Sequence, residues 1–491
     1  MSSPDTLTAR LNLGATLSPA HDGTALIDLA VDARAFSFPE LDSLADAAAV
    51  THPFQRGSRV GLLGANSAAF VVTLFGIMRA GAVAVPVNTK FPATTLAHVA
   101  ADAELTAAFV DAANQQRLPE TVPQHPLVLA PAGAGAAVTQ PAENEAGLVL
   151  YTSGSTGTPK GVELSHASQW AMVARMKDQL AGATGIIAAP LYHMNGLLFL
   201  MGLLAGGGTV VLMPRFDARS YLQAIHDHRV NVLTGVPTML SLLLKETELL
   251  ARLDLTCVAA IQVGSAPLSA TLISEVQRHF PQARISNGYG TTEAGAGMFG
   301  RHPDGIPVPS LSLGHPQPHV EIRLAGDQAD EGVLEVRTPA AMNGYLNRPD
   351  ATAAKLSNDG WINTGDIMRR DADGFFYFVG RDDDMFNCGG ENIYPGEIER
   401  LLEADPRVAE CCVVPVPDSV KGAKPVAFVV TAPGQSLTEP EAQELVLAQA
   451  PAYMHPRRVY FVDTMPLAGT NKIDRKALAA LAAEGAAAHG N

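Results

Sequence analysis

Residues 151–162 read Y-T-S-G-S-T-G-T-P-K-G-V, and the rest of the chain is best interpreted outward from this stretch. Its glycines permit backbone angles that let successive N–H groups converge, and its hydroxyls and single lysine add further donors. Such a loop is suited to wrapping a polyphosphate. The spacing is not the G-x-x-x-x-G-K-[ST] of a Walker loop. A plain Ser/Thr/Gly connector between two strands would have the same composition, so that alternative stays open.

The whole chain offers room for several domains and carries an excess of negative charge. It has 491 residues, with 34 basic and 49 acidic side chains and a formal net charge of -15. This charge disfavours binding to nucleic acid or an anionic membrane, so we expect neither as a partner. The four cysteines show neither C-x-x-C spacing nor a metal-ligand pattern with histidines. The first ten residues lack the apolar region of a secretion signal, and we expect a cytoplasmic protein.

One uncharged, mostly apolar run, residues 196–214, could be taken for a membrane span. Three consecutive glycines at 206–208 divide it, followed by T-V-V-L-M. The pattern therefore predicts a short buried helix, a turn and a strand.

Strand and helix patterns alternate regularly between residues 145 and 290, which is typical of parallel sheets covered by helices. We predict strands at 147–151, 185–190, 209–213, 230–233, 258–263 and 284–285, and helices at 166–180 (with Ser165 as N-cap), 195–204, 218–228, 238–249 and 269–280. A weak similarity between residues 74–86 and 200–214 suggests two related α/β halves.

After about residue 314 the sequence pattern changes to that of short strands and turns, which predicts a β-rich subdomain. A charged junction, G-R-D-D-D at 380–384, precedes a predicted helix at 395–404 and strands at 411–416 and 426–430. The predicted fold class is therefore α/β, with two α/β sandwich halves, a β-rich subdomain and a small α+β C-terminal domain.

A second motif, N-G-Y-G-T-T-E at 287–293, carries an aromatic ring between glycines. A flat base could lie against Tyr289, Thr292 could meet a phosphate, and Glu293 could hold Mg²⁺ on it. A glycine-rich turn with a capping glutamate is the alternative.

Two further motifs are informative only in combination with the others. In W-I-N-T-G-D at 361–366, a tight turn presents Asp366, which is suited to accept hydrogen bonds from both hydroxyls of a ribose. Arg381 could donate to the same sugar, but an Asx-turn explains the motif as well. The loop P-L-A-G-T-N-K at 466–472 ends in Lys472, and a solvated surface lysine is the alternative there.

Taken together, these motifs resemble those of the AMP-forming acyl-CoA synthetases, the superfamily that includes firefly luciferase and the adenylation domains of peptide synthetases. The resemblance rests on Y-T-S-G-S-T-G-T-P-K-G, Y-G-T-T-E, T-G-D, G-R-D-D-D, G-G-E-N-I-Y-P-G-E-I-E and the terminal loop lysine, in the family's order over nearly the whole chain. It implies that ATP activates a carboxylic acid to an acyl-adenylate, after which coenzyme A displaces AMP.

The resemblance also implies roles and domains. Lys472 would bridge the acid and the α-phosphate, Thr292 would contact that phosphate, and Glu293 would bind Mg²⁺. A mobile C-terminal domain, 385–491, would swing about a hinge at 381–384, centred on Asp383, relative to an N-terminal domain, 1–380. The implied nucleotide and coenzyme A contacts are Thr152, Ser153, Gly154, Ser155, Thr156, Gly157, Lys160, Gly264, Ser265, Ala266, Pro267, Asn287, Gly288, Tyr289, Gly290, Asp366, Arg381, Gly389 and Gly390.

The acid pocket would contain Tyr192, Met194, Gln262 and Val263, with His193 at its mouth. These polar or bulky residues suggest a short-chain or hydroxylated acid, for example one like 2-hydroxyisobutyrate. A benzoate-type aryl acid or a medium-chain acid is the alternative, and a non-catalytic nucleotide-binding paralogue or a luciferase-like oxygenase is a different class of function. We expect a monomer or homodimer.

Overall fold

A computed structural model describes residues 12–52, 54–129, 138–152, 158–264, 268–326, 329–388, 391–418, 420–468 and 472–488. The helices in these ranges are α1 Phe38–Thr51, α2 Ala68–Arg79, α3 Ala93–Asp102, α4 His166–Gln179, α5 Met194–Ala205, α6 Ala218–Asp227, α7 Pro237–Leu244, α8 Thr247–Arg252, α9 Ala270–His279, α10 Pro349–Lys355, α11 Pro395–Glu403, α12 Glu439–Leu447 and α13 Arg475–Ala488.

The strands follow the same chain order. They are β1 Thr24–Asp28, β2 Arg34–Ser37, β3 Arg59–Leu63, β4 Val83–Pro86, β5 Ala107–Val110, β6 Gln124–Pro126, β7 Ala146–Thr152, β8 Lys160–Ser165, β9 Thr184–Ile187, β10 Thr209–Leu212, β11 Val232–Gly235, β12 Ala260–Gly264, β13 Arg284–Gly288, β14 Gly290–Thr291, β15 Gly295–Ala296, β16 Phe299–Gly300, β17 His315–Pro316, β18 Glu321–Ala325, β19 Glu331–Arg337, β20 Gly344–Tyr345, β21 Ile362–Arg370, β22 Phe376–Arg381, β23 Phe386–Cys388, β24 Glu391–Ile393, β25 Val408–Asp418, β26 Gly422–Thr431 and β27 Arg458–Phe461.

Two large sheets form the main body, with strand orders β20-β8-β7-β4-β3-β5-β6 and β13-β12-β11-β9-β10-β1-β2. Parallel pairs make up most of each sheet, and antiparallel pairs occur at β7, β8 and β20 in the first and at β1 and β2 in the second. Parallel strands need crossover connections, which the helices supply. The prediction of two α/β halves is confirmed.

The most apolar helices pack between the other elements of these halves. α2 and α5 are buried over most of their length, and α5 with β10 accounts for the apolar run at 196–214. Ser165 begins α4 as predicted, because its hydroxyl accepts a hydrogen bond from the Ser168 N–H. In the described part of the chain, no helix is long and apolar enough to cross a membrane.

One predicted helix and several predicted strands differ in their bounds from the structure; for example, the strand predicted at 185–190 ends at Ile187. Instead of a single helix at 238–249, α7 ends at Leu244, and the chain turns at Lys245 and Glu246 before α8 brings Leu249 and Leu250 into the core. The strand predicted at 230–233 begins later, at β11, because the Val230 N–H closes the end of α6 by bonding to the Ile225 carbonyl.

The predicted β-rich subdomain contains an antiparallel sheet in the order β18-β19-β21-β22. The 361–366 motif, predicted as a tight turn, lies largely within strand β21. Gly365 has a φ of +74° there, and its N–H bonds to the Asn363 side chain at 2.9 Å. The Asx-type hydrogen bond is therefore present inside a strand, and it presents Asp366 opposite Arg381.

The C-terminal region is a separate α+β unit with its own apolar core. Its sheet has the order β24-β23-β26-β25, with β27 parallel to β26, and it packs against α11, α12 and α13. The unit meets the subdomain where α11 approaches β22: a Cβ on Gly396 would lie 2.5 Å from the Val379 carbonyl oxygen. The domain boundaries at 380 and 385 stay predictions.

Candidate active site

A hydrogen-bond network, here called the nucleotide-side network, joins Tyr289, Asp366, Arg381 and Asp383. The Tyr289 hydroxyl donates to one oxygen of Asp366, and Arg381 Nη1 donates to the other at 3.1 Å. The same guanidinium reaches Asp383 through Nε at 2.8 Å and Nη2 at 3.2 Å. Burial raises the pKa of Asp366, while Tyr289 and Arg381 oppose this effect. The network holds a nearly buried carboxylate at the open end of the β21–β22 hairpin.

Glu293 lies close to this network and is fixed by Tyr345. The Tyr345 hydroxyl donates to Glu293 Oε1 at 2.8 Å, and the Lys160 ammonium sits 5.3 Å from the centre of the Tyr345 ring. Thr292 lies in the same turn as Glu293. No cluster of three or more metal-ligating side chains occurs among the described residues, so a metal held by Glu293 would need further ligands from outside such a cluster.

Lys472, from the C-terminal unit, lies near enough to the nucleotide-side network for charges to interact. Its carbonyl accepts the Ala468 N–H at 2.7 Å, which closes the loop that carries it. The residue keeps exposed surface in the open cleft, yet burial of its ammonium among the cleft walls lowers its pKa. Its charge interacts with Asp366, Arg381 and His193. The structure therefore brings together side chains that lie far apart in the sequence.

His193 begins α5 and has an unsatisfied ring nitrogen. Its imidazole stands edge-on to Tyr192, with ring centres 4.6 Å apart, and its Nε2 is buried without a hydrogen-bond partner in the described part of the chain. Burial lowers the pKa of His193 to about 4, and the charges of Lys472 and Lys90 act in the same direction. The imidazole is therefore neutral near pH 7.

Three side chains form a polar row, here called the acid-side row: Asn195, Thr234 and Gln262. Thr234 and Gln262 are neighbours in the register of β11 and β12, and the Thr234 hydroxyl bonds to Asn195 Oδ1 at 3.3 Å. Gln262 is exposed, and its Nε2 lies 3.2 Å from where a Cβ on Gly288 would be. Its amide has no hydrogen-bond partner among the described residues.

Other predicted pocket residues are placed differently. Val263 is completely buried in the core on the opposite face of β12 from Gln262, so the structure does not bring these two side chains together. Tyr192 is nearly buried, and burial raises the pKa of its hydroxyl, an effect that Thr89 opposes. Met194 packs at the edge of the main core.

Part of the predicted nucleotide and coenzyme A site lies outside the described residues. Just before and after the phosphate loop, Thr152 and Lys160 face each other across the β7–β8 pair. Gly264 and Gly288 are likewise register neighbours on β12 and β13, with Asn287 before and Gly290 after. The residues outside the description are Ser153, Gly154, Ser155, Thr156, Gly157, Ser265, Ala266, Pro267, Gly389 and Gly390.

Sequence reasoning missed Asn195, Thr234, Tyr345 and Lys355, which lie at or beside this site. Asn195 follows the His193 motif, and Thr234 follows a predicted strand at the sheet edge where ligands bind, so both positions carried some signal. Tyr345 and Lys355 lie in no motif that we could interpret.

Comparison with known proteins identifies the class to which this fold and site belong. The model of the AMP-binding enzyme family matches residues 16–346, and that of the AMP-binding enzyme C-terminal domain matches residues 397–472. The chain therefore belongs to the AMP-binding enzyme family. The prediction of an AMP-forming acid–thiol ligase is confirmed by its relatives.

Curated relatives include a feruloyl-CoA synthase of Amycolatopsis sp, 34% identical over 85% of this chain and 87% of the relative. A fatty acid–[acyl-carrier-protein] ligase, ScoC of Streptomyces coeruleorubidus, is 33% identical over 86% of both proteins. Among solved structures, the anthranilate CoA ligase AuaEII in complex with anthranoyl-AMP matches with a TM-score of 0.86 and 25% identity, covering 99% of this chain and 100% of the other. ATP-bound MatB from Rhodopseudomonas palustris matches with a TM-score of 0.85 and 27% identity, over 96% and 99%.

Proposed function

We propose that the protein is a carboxylic acid–CoA ligase that uses ATP and Mg²⁺. In the first half-reaction, a carboxylate oxygen of the acid attacks the α-phosphorus of ATP, and the bond to pyrophosphate breaks. In the second, the thiol of coenzyme A attacks the acyl carbon, and AMP leaves. The observation that carries the proposal is the position of Lys472, which lies near enough to Asp366, Arg381 and His193 for its charge to act on them from the C-terminal unit.

The nucleotide-side network suits the adenosine part of ATP. Asp366 would accept the ribose hydroxyls with Arg381 beside it, as a carboxylate accepts two donors. The Tyr289 hydroxyl is already committed to Asp366, which leaves the ring to stack on the base against residues 264–267. Thr292 would contact the α-phosphate.

The phosphate end would involve Lys160 and Glu293 together with the loop at 152–157. A single carboxylate fits Mg²⁺, because this ion is commonly held by one or two carboxylates plus substrate phosphates. When bound, the ion would neutralise charge on the leaving pyrophosphate. Glu293 is oriented for this by the Tyr345 hydroxyl. The loop residues proposed to contact the phosphates are Thr152, Ser153, Ser155 and Thr156.

Lys472 would lie between the two reacting anions and reduce their repulsion. For the second half-reaction, we propose that residues 385–491 rotate about the hinge at Asp383, so that Gly389, Gly390 and Glu391 line the path of the coenzyme A thiol. Arg381 holds Asp383 in the present arrangement, so this ion pair would change when the domain moves. A cytoplasmic location and a monomeric or homodimeric state stay predictions.

For the acid, we propose a molecule with a hydrogen-bonding substituent. Gln262 offers a free amide, and Asn195 and Thr234 lie beside it. The relatives named for feruloyl-CoA and 4-coumarate favour a hydroxylated aryl acid. The bulky Tyr192 and Met194 favour a shorter hydroxy acid, such as 2-hydroxyisobutyrate, as the second candidate.

The test is pyrophosphate release with ATP and Mg²⁺ over a panel of acids, with and without coenzyme A. The panel runs from acetate through 2-hydroxyisobutyrate, benzoate and 4-hydroxycinnamate to palmitate. We expect a CoA thioester of a hydroxylated acid, with faster turnover when coenzyme A is present. Equal turnover without coenzyme A would overturn the ligase function.

The matching variant is Lys472→Ala, with the exposed Lys476→Ala on α13 as control. Loss of the bridging charge should slow adenylation by roughly 10²- to 10³-fold, while thioester formation from supplied acyl-adenylate should continue. Equal loss in both half-reactions would contradict the role of Lys472 in adenylation alone.

A further inference from the structure

Lys355, the last residue of α10, places its ammonium beside the turn that presents Asp366. A Cβ on Gly365 would lie 3.2 Å from Lys355 Nζ and 3.5 Å from Arg381 Nη2. Gly365 also has a φ of +74°, a backbone conformation that disfavours a side chain there. The lysine is thus built into the active-site wall.

The ammonium of Lys355 has no ion-pair partner among the residues that the structure describes. Glu293, Asp366 and Asp383 are near enough to raise its pKa, while burial and Arg381 lower it, with burial the largest effect. Yet no ion pair within 4 Å joins it to any carboxylate in the described part of the chain. A partly buried cation without a partner is costly, and such groups concentrate at sites that bind an anion.

A second lysine approaches the same place from another element. Lys160, on β8, lies over the ring of Tyr345, whose hydroxyl donates to Glu293. The Tyr345 N–H in turn bonds to Thr352 Oγ1 at 2.9 Å, one helical turn before Lys355 on α10. Tyr345 and Glu293 therefore lie between elements that each contribute one lysine.

We propose that Lys355 is a further phosphate-binding residue of the adenylation site, which takes the β- and γ-phosphates of ATP together with Lys160. The proposal rests on the proposed function, because it requires ATP as the nucleotide. Lys355 acts by charge, and its position on a helix makes it independent of the phosphate loop at 152–157. Two other roles are open to the same side chain: supporting Asp366 for the ribose, or holding Asp383 at the hinge.

Equilibrium binding of nucleotides separates these roles. ATP, AMP and adenosine are titrated by calorimetry, with Mg²⁺ and without any acid or coenzyme A, into the wild type and three variants. The variants are Lys355→Gln, Lys355→Arg and the matched control Lys245→Gln, an exposed lysine at the end of α7. Thermal unfolding of each variant checks that it is folded.

We expect Lys355→Gln to weaken ATP binding by about tenfold or more, with AMP and adenosine unchanged, because only ATP carries the distal phosphates. Lys355→Arg should restore ATP binding, and Lys245→Gln should match the wild type. Equal weakening of all three ligands would overturn the proposal in favour of support for Asp366. Unchanged ATP binding with slower thioester formation would overturn it in favour of the hinge. A wild-type protein that binds no ATP would instead defeat the proposed function.

Discussion

The two sides of the cleft differ in how their polar groups are satisfied. On the nucleotide side, the Tyr289 hydroxyl, the Asp366 carboxylate and the Arg381 guanidinium already bond to one another. On the acid side, His193 Nε2 is buried without a partner among the described residues, and the exposed Gln262 amide bonds to no described protein group. The polar groups on the nucleotide side satisfy one another without a ligand, and those on the acid side do not.

This difference shows where recognition comes from. A preorganised network needs little reorganisation when its ligand arrives, and it suits a molecule that every turnover shares. Unpaired polar groups instead penalise any ligand that fails to bond to them, which gives specificity. Under the proposed function, ATP would meet a surface whose polar groups are already paired, while the acid would bond to groups that are still unpaired.

Of the variants that compare the two sides, Asp366→Asn on the finished side has the largest expected effect. The amide keeps the shape but loses the charge that pairs with Arg381 and one of the two acceptor oxygens proposed for the ribose, so the KM for ATP should rise by about 10- to 100-fold. Pyrophosphate release at varied ATP measures this.

The matched control for that variant is Asp371→Asn. Asp371 also accepts a tyrosine hydroxyl, from Tyr377 at 2.9 Å, but at the opposite end of the same hairpin. A KM for ATP that rises equally in both variants would mean that the effect is only structural.

A smaller effect is expected from Gln262→Leu on the unfinished side. Leucine cannot bond to a hydroxyl, so the preference for 4-hydroxycinnamate over cinnamate should fall by about tenfold. The ratio of kcat/KM values for the two acids measures it, and ATP kinetics should not change. Gln223→Leu, on the surface helix α6, is the control. An unchanged ratio would remove Gln262 from acid recognition.

The smallest effect concerns pH. The pKa of His193 is lowered to about 4. The imidazole is therefore neutral even at pH values well below the ordinary pKa of histidine. It gains a proton only as pH falls through about 4, which would add a second positive charge beside Lys472. Between about pH 6 and 8 we expect no histidine limb in kcat/KM for the acid. A limb near about 6.5 that disappears in His193→Asn would contradict this assignment.

The sequence predicted the residues of the nucleotide side better than those of the acid-side row. Tyr289, Glu293, Asp366 and Lys472 lie in short motifs whose order along the chain could be interpreted. Thr234 meets Gln262 only through the register of two strands, and no local pattern shows that register. Tyr345 and Lys355 were missed because no local pattern shows that the fold places them near Glu293.

The fold followed a similar rule. Regular alternation predicted the two sheets, because each strand and helix has its own apolar pattern. The break between α7 and α8 places Leu249 and Leu250 in a core that is built from distant segments. The local sequence pattern stays helical across this break, so the pattern alone predicted one continuous helix.

The close contact at Gly396 constrains how the C-terminal unit packs against β22. With the Val379 carbonyl 2.5 Å from a would-be Cβ, position 396 cannot carry a side chain while α11 stays against β22. If the C-terminal unit rotates as proposed, any larger residue would act as a spacer and shift the equilibrium between the domain orientations. The balance between the two proposed half-reactions would then be adjustable from a position outside the candidate site.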